Sequence, residues 1–571
     1  MDEERIQPGI HGRLRRFAVI VGITSLLIAS VFSSAAADDR WVHHFGYLPI
    51  SDGIEIAYTL YRPSPQGRYP TLLIYNMYDA SIVAPDWNQT ISTEVSDYLA
   101  AGYAVMGANA RGTGCSSGVE DPLHAEQGGR DGAEVVEWIA RQPWSDGCVG
   151  MFGHSGSGIT QFYVAAHNPG PLKAIIPGAA PADIYRDIGY PGGIFNYAFM
   201  YMWSQGAQRE QSERAARVHI DHGDTKCAET IRERPPNPTW DQMRQRPQYD
   251  DWHAQHSVNS VASRINVPTY VVFGWQDQSV LSTAVRVFDR LQGPRKMLVA
   301  EGTHSFYIRS MEVRREKIRF FNHWLKGEAN GAMAGKPIKV WLSMRGKIES
   351  VPDRVAEIDQ LPVPGTRWTQ FFLAKDRTLT KQEPTESITA DYLYPAGATY
   401  VYGEAGYPHK PAKIGGLIFR TEPFAEETVL LGPTVVHLYG ASTQADTTFL
   451  VVLSEVDPIG ESTYLQRGYL RASMSRVGPT STAAEPVYPF DRQMPLEPGK
   501  VQEFVIELHP TGSIIEPGHS LEVMVMAPTM APEPIGGWGF VPAEMGVNTI
   551  HMSPRHPSHL LLPIVDPESI E

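Results

Sequence analysis

Three residue types that together perform acyl transfer stand in this sequence in the order serine, aspartate, histidine, each in a turn that closes a short apolar run. Ser155 lies within Cys148 to Gln161, read C-V-G-M-F-G-H-S-G-S-G-I-T-Q; Asp277 ends Gly274-Trp275-Gln276-Asp277; His304 ends Gly302-Thr303-His304. A serine hydroxyl is a weak nucleophile until a base takes its proton, and an imidazole does this best when a carboxylate orients it and stabilises its cation. His154 is the competing base. As the neighbour of Ser155 on a sharp turn it points elsewhere, with no carboxylate placed to orient it, and it reads better as a residue lining a pocket.

The elements that must position these residues follow from the pattern around them. Val149 to Phe152 is apolar, Gly153 to Gly158 is glycine and serine apart from His154, and Ile159 to Ala166 is helix-compatible, which is a strand, a sharp turn and a helix. Such a turn leaves the hydroxyl exposed beyond the strand end, and its glycines let strand and helix approach. The strict G-x-S-x-G pattern is not met, because Ser157 stands in place of the second glycine and Gly158 follows it. A glycine-rich turn with an idle serine is the alternative reading, and the partners must decide. Thr71 to Tyr75 is a buried-type strand leading into Asn76-Met77-Tyr78-Asp79, which sets Tyr78 to donate its hydroxyl to a developing oxyanion, with the Gly156 N–H as second donor. The alternative for Tyr78 is a rim aromatic. Tyr103 to Asn109, Ile175-Ile176, Thr269 to Phe273 and Lys296 to Ala300 are further strands. Strands alternating with helices imply a parallel sheet, and Ser, Asp, His in that order beyond strand ends is the α/β-hydrolase arrangement. The alternative for Asp277 is a helix N-cap.

Elsewhere, Ile54, Ile56, Tyr58 and Leu60 alternate as in an antiparallel edge strand, and Asp131 is set to cap a helix running to Arg141. From about Asp183 to His253 the chain is rich in aromatics, methionine and arginine, and reads as a mostly helical cap over the site. Phe195, Tyr197, Phe199, Met200, Tyr201, Met202 and Trp203 either line an acyl pocket or form the cap's own core. His154, Phe195 and Trp275 are the candidate substrate contacts. His253 and His256 have helical i, i+3 spacing but no third ligand in sequence reach, so they read as solvated histidines and no metal is expected. Met311 to Leu325 follows helical spacing with Gly327 as a stop, and Lys339 to Leu342 leads outward. From about Gly346 short alternating strands separated by proline and glycine turns indicate an all-β sandwich.

The 571 residues, 42% hydrophobic and 20% charged, suffice for two or three domains, and a formal net charge of −14 disfavours nucleic acid as a partner. Arg13, Arg15 and Arg16 precede the apolar run Phe17 to Phe32 and the small residues Ser33 to Ala37, the pattern of a cleaved export signal, with a short N-terminal anchor as the alternative. The expectation is a secreted or periplasmic protein without stable membrane insertion after cleavage. Arg15-Arg16 leaves the export route open. Three cysteines leave at least one unpaired, and Cys115 and Cys148 fall at opposite sheet ends, where a disulfide seldom forms.

With Asn76-Met77-Tyr78-Asp79, the Gly153 to Gly158 turn, Gly274-Trp275-Gln276-Asp277 and Gly302-Thr303-His304 assembled, the chain resembles the cocaine esterase and X-Pro dipeptidyl-peptidase family of serine hydrolases, to which α-amino acid ester hydrolases and glutaryl acylases are related. Asp446-Thr447-Thr448-Phe449 and His556-Pro557-Ser558-His559 extend the likeness over nearly all of the expected mature chain. The resemblance implies an α/β-hydrolase core, a helical cap and a C-terminal jelly-roll β domain, which the sequence pattern places at 38–183 with 254–345, at 184–253 and at 346–571, after a signal peptide at 1–37. It implies Ser155 as nucleophile, Asp277 and His304 as partners, and Tyr78 with the Gly156 N–H as oxyanion hole, without cofactor. Gly156 departs from the bulky residue many members carry after the serine, so the substrate stays open. Members that bind a substrate ammonium need carboxylates aimed into the site, for which Asp183, Asp187 and Glu301 are candidates. The expected partner is a small-molecule ester or amide; an X-Pro dipeptidyl-peptidase, an amino ester hydrolase or a silent binding protein are the alternatives. Self-association is left open.

Overall fold

Alternation along single strands builds the core. In β3, Leu73 and Tyr75 join one apolar cluster and Leu72 and Ile74 another, as the two-residue period of a strand with both faces covered requires. The computed structural model describes residues 41–80, 89–277, 280, 284–304, 308, 310–344, 352–395, 415–530 and 538–570. The stretch 1–37 read as an export signal lies outside them.

The first sheet contains β1 (Val42–Pro49), β2 (Glu55–Arg62), β3 (Tyr69–Asn76), β4 (Ala104–Asn109), β5 (Ser145–His154), β6 (Leu172–Gly178), β7 (Thr269–Gly274), β8 (Arg295–Ala300), β9 (Ile338–Met344) and β10 (Arg354–Ile358). Their order is β1-β2-β4-β3-β5-β6-β7-β8-β9-β10. The neighbours from β4 to β9 are parallel; β1, β2 and β10 pair antiparallel. Helices α2 (Glu126–Ala140) and α3 (Gly156–Ala166) cover one face through Val135, Ile139 and Phe162; α1 (Gln89–Ala100) and the helix Met311–Lys326 cover the other through Val95, Leu99, Phe320 and Phe321. Met311–Lys326 ends as expected, with Gly327 left-handed at φ 71°.

Three expectations change. The edge strand is β1, so β2 lies one strand inward. Helix α2 begins at Glu126, and Asp131 lies inside it, buried and ion-paired with Arg111 at 2.7 Å. The chain does not leave the first sheet after Leu342: β9 continues it, β10 returns beside β9, and Ser343-Met344 also pair in parallel with Ser513-Ile514 of the β domain. Consistent with that sharing, Arg40–Glu571 forms one compact unit.

Between β6 and β7 the cap is helical, with α-helices at Tyr197–Tyr201, Gln208–Asp221, Thr225–Glu233, Thr239–Arg244 and Asp251–Gln255. His253 is buried rather than solvated, because it closes a capping box with Asp250, its Nδ1 lying 2.8 Å from Oδ1. Cys115 pairs with Cys227 and Cys148 is free, so a disulfide ties the loop after β4 to the cap helix Thr225–Glu233. Because it closes a loop with a sequence separation of 112 residues, the Cys115→Ser/Cys227→Ser variant is expected to lose about 3–5 kcal/mol. Urea denaturation midpoints under non-reducing conditions check this; equal midpoints would show that the cap is seated without the bond.

In the β domain, Thr428–Ser442 runs as one strand with a bulge between Gly432 and Thr434, pairing with Gln502–Ile515 and His559–Val565. Thr448–Val456 lies between Ser462–Arg471 and Ser520–Met526. The two motifs noted in its sequence are structural: Asp446 holds Arg471 at 2.7 Å and Ser473, and the Ser558 hydroxyl bridges His551 O and Tyr439 N–H. His509 lines a cavity of about 350 Å³ shared with the cap and Arg286, and burial, then Arg467 and Arg286, push its pKa down to about 3. The unfolded chain therefore takes up this proton first, near pH 6.5, and stability is lost as pH falls from there toward 3. Thermal unfolding of His509→Gln should fall less steeply over that window than the parent; parallel curves would refute the assignment.

Candidate active site

Tyr78, Ser155, Trp275, Asp277 and His304 sit just beyond the same, C-terminal, end of parallel strands, and His154 is the last residue of β5; Gly156 begins α3 and Phe195 lies in the cap. Ser155 follows β5 directly with φ 60° and ψ −124°, a backbone conformation costing about 1–3 kcal/mol for a residue with a side chain. Its N–H donates to Gly178 O at 2.9 Å. A Cβ on Gly153 would lie 2.6 Å from Ser157 Oγ, and one on Gly158 would lie 2.5 Å from Gly178 O. Both positions therefore exclude larger residues. The serine in place of the usual glycine has its own reason: Ser157 Oγ donates to His154 O at 2.9 Å and accepts the His154 N–H at 3.0 Å, closing the turn.

The loops after β7 and β8 are laced together. Trp275 N–H donates to Ala300 O at 2.8 Å, Gln276 N–H to Gly302 O at 3.1 Å, and Gly302 N–H returns to Gln276 Oε1 at 2.8 Å. This brings Asp277 Oδ2 to 2.7 Å from His304 Nδ1, with the carboxylate 1% exposed and the imidazole 18% exposed. Asp277 Oδ1 accepts the Val280 N–H at 3.0 Å, so one carboxylate fixes both its own loop and the imidazole. The His154 ring lies 4.9 Å from that of His304. Burial, then the His304 and Lys317 charges, hold His154 well below the usual histidine range, so it stays neutral.

Tyr78 follows β3. Its N–H is held by Asn76 Oδ1 at 2.9 Å and its carbonyl by Asn109 Nδ2 at 2.8 Å. Its phenol oxygen lies beside Ser155 and Gly156, and accepts the Trp203 indole N–H at 2.8 Å. Burial raises the phenol's pKa, so it is a protonated donor at neutral pH. The absence of a side chain at Gly156 has a local cause: a Cβ there would stand 2.7 Å from Met77 Sδ and 2.9 Å from the Tyr78 hydroxyl, so Met77 occupies the space a bulky residue would need.

The proposed substrate contacts fare unevenly. Trp275 is a core residue, 4% exposed, edge-on to Phe273 and pressed on Gly512, because the β domain closes over this loop. Phe195 stacks between Tyr190 and Trp240 at 4.9 and 5.5 Å, in the cap's aromatic core. Met77, packed at Gly156, and Trp203, bonded to Tyr78, are the neighbours of the site that sequence reasoning does not single out. Trp203 was one of many cap aromatics, and nothing in its spacing marks it as the residue that reaches Tyr78. No group of three or more His, Cys, Asp or Glu among the described residues could hold a metal ion.

A parallel sheet of this order, a strained serine turn after β5, a helical cap inserted after β6 and an appended β domain define an α/β-hydrolase of the serine hydrolase class. The model of the X-Pro dipeptidyl-peptidase (S15 family) matches residues 52–306, and that of the X-Pro dipeptidyl-peptidase C-terminal non-catalytic domain matches residues 330–561. The cocaine esterase of Rhodococcus sp. (strain MB1 Bresler) is 28% identical over 91% of this chain and 97% of its own. A CocE/NonD family hydrolase from Staphylococcus aureus superposes with TM-score 0.76 at 20% identity, covering 92% of this chain and 94% of that one. An α-amino acid ester hydrolase superposes with TM-score 0.76 at 17% identity, covering 96% and 100%. The chain belongs to the cocaine esterase and X-Pro dipeptidyl-peptidase family of serine hydrolases.

Proposed function

We propose that this chain is an exported esterase that cleaves carboxylic esters through an acyl-enzyme on Ser155. The observation that carries the reading is the buried Asp277 carboxylate 2.7 Å from His304 Nδ1, at the sheet end where Ser155 stands on its strained turn. Asp277 holds the imidazole in the tautomer whose Nε2 accepts the Ser155 proton as Oγ attacks the carbonyl carbon. The carbonyl electrons move to oxygen, where the Tyr78 hydroxyl and the Gly156 N–H stabilise them. His304 then gives its proton to the departing alkoxide, and water repeats the sequence on the acyl-enzyme.

Esters are favoured over amine-bearing substrates because the carboxylates available for an ammonium are engaged. Asp183 binds Arg186 at 2.6 Å and the N–H groups of Tyr185 and Arg186. Asp187 accepts the N–H groups of Ala182 and Asp183 at 2.8 and 2.9 Å. Glu301 is buried against Ser513, and burial holds its pKa well above the usual range. Export is supported by residues 1–37 and by a disulfide, a bond rare in reducing compartments.

Initial rates on p-nitrophenyl butyrate, an α-amino p-nitrophenyl ester and a Gly-Pro anilide test the substrate class. Turnover of the butyrate without need for an amine is expected. Activity confined to the two amine-bearing substrates would overturn the esterase reading in favour of a peptidase or amino ester hydrolase.

A further inference from the structure

Tyr78 receives its hydrogen bond from Trp203 in the cap, not from the hydrolase sheet. The indole N–H only donates, so its 2.8 Å contact can form in one sense alone, with the phenol oxygen as acceptor. A phenol has one proton and one rotatable O–H bond. With that lone-pair direction taken by Trp203, the proton is left to point away from the indole, toward the side of the phenol where Ser155 stands. A substrate carbonyl oxygen entering there meets a donor already aimed at it, and avoids the reorientation that a free hydroxyl would need in the transition state. Donation into the phenol oxygen also polarises its O–H, strengthening the bond it gives.

We propose that Trp203 is a positioning residue that sets the direction of the Tyr78 hydroxyl, so that seating of the cap and stabilisation of the oxyanion are one device. This rests on the reading of Tyr78 as an oxyanion donor. The indole is held firmly enough for the task. Trp203 lies on a π-helical turn, Met202–Ala207, and π-turns, uncommon in helices, aim side chains that an α-helix would turn aside. Its ring is nearly parallel to that of Phe199, with centroids 6.5 Å apart and an interplanar angle of 4°. The Ser204 hydroxyl donates to Met200 O at 2.7 Å, and Gln205 Nε2 to Asn237 O at 3.0 Å. The loop after β4 serves both partners: Asn109 at its start grips the Tyr78 carbonyl, while Gly114 N–H donates to Ser212 Oγ of the cap at 2.6 Å and Cys115 is bonded to Cys227.

The test is a double-mutant cycle on p-nitrophenyl butyrate with Tyr78→Phe, Trp203→Phe and the pair. Tyr78→Phe should lower kcat by about 10²–10³-fold, as loss of one oxyanion donor does. Trp203→Phe, which keeps a ring on Phe199, should lower kcat by roughly tenfold with KM unchanged, a fraction of the full donor's worth. In the Tyr78→Phe background it should cost nothing, because no hydroxyl remains to aim. An equal kcat loss in both backgrounds would mean that Trp203 acts by packing alone and would overturn the inference while leaving Tyr78's role intact. No loss from Trp203→Phe in the parent would overturn it too. If Tyr78→Phe itself leaves kcat unchanged, the oxyanion assignment fails and the inference with it. Should Trp203→Phe not fold, Trp203→Leu, which likewise has no donor, takes its place in the same cycle.

Discussion

Ser155→Ala is expected to lower kcat on p-nitrophenyl butyrate by about 10⁵–10⁶-fold with little change in thermal stability. The residue's strained backbone is already imposed by the Gly153 and Gly158 contacts and by the Ser157 hydroxyl, so removing Oγ takes away the nucleophile and leaves the turn. His304→Ala should cost a similar amount, and Ser155→Ala/His304→Ala no more than either alone, because a base without its nucleophile contributes nothing. That non-additivity separates the proposed pair from two residues that each support the pocket. His154 supplies the internal comparison: it is held neutral 4.9 Å from His304, and a His154→Gln variant that fell as far as His304→Ala would reassign the base. Activity that survived Ser155→Ala would remove the acyl-enzyme reading altogether.

What could be read beforehand, and what could not, divides by the range of the interaction. Parallel strands buried on both faces are apolar runs that end in glycine or polar residues, so β3 to β8 and the loops carrying Tyr78, Ser155, Asp277 and His304 were legible locally. The first turn of helix α2 is hidden in the sequence because Gly128, Gly129 and Gly132 are poor helix formers. They are tolerated because a Cβ at Gly129 would lie 2.9 Å from Tyr163 O, and one at Gly132 would lie 2.4 Å from Val164 Cγ2: the helix is glycine-rich so that α3 can lie against it. That constraint belongs to α3 and leaves no mark on the periodicity of α2. The same holds for Trp275, whose neighbour Gly512 is far along the chain, and for Cys227, whose partner is decided by where the cap lands. A buried capping histidine and a solvated one share the same spacing, so the sequence does not distinguish the two for His253. The site was thus visible as a set of strand ends, and its second layer, built by cap and β domain, was not.

Asp277→Asn is expected to lower kcat by about 10⁴-fold while leaving KM and the fold largely unchanged. The side chains are nearly the same shape, and Asn retains an oxygen to accept the Val280 N–H now bound to Oδ1 at 3.0 Å. What it loses is the negative charge and the acceptor facing His304 Nδ1 at 2.7 Å. An amide placing its N–H₂ there favours the imidazole tautomer protonated on Nε2, which cannot take the serine proton, and no charge remains to stabilise the imidazolium formed on attack. Because Asp277 is 1% exposed, water does not readily replace that acceptor, and the low local dielectric makes the missing charge costly. The comparison with Asp277→Ala is informative: removing the side chain opens space for a water to accept from Nδ1, so this variant is expected to retain more activity than Asp277→Asn. Equal, mild losses in both would mean that another group orients His304. A large loss accompanied by a drop in unfolding temperature would point instead to loss of the bond between Asp277 and the Val280 N–H.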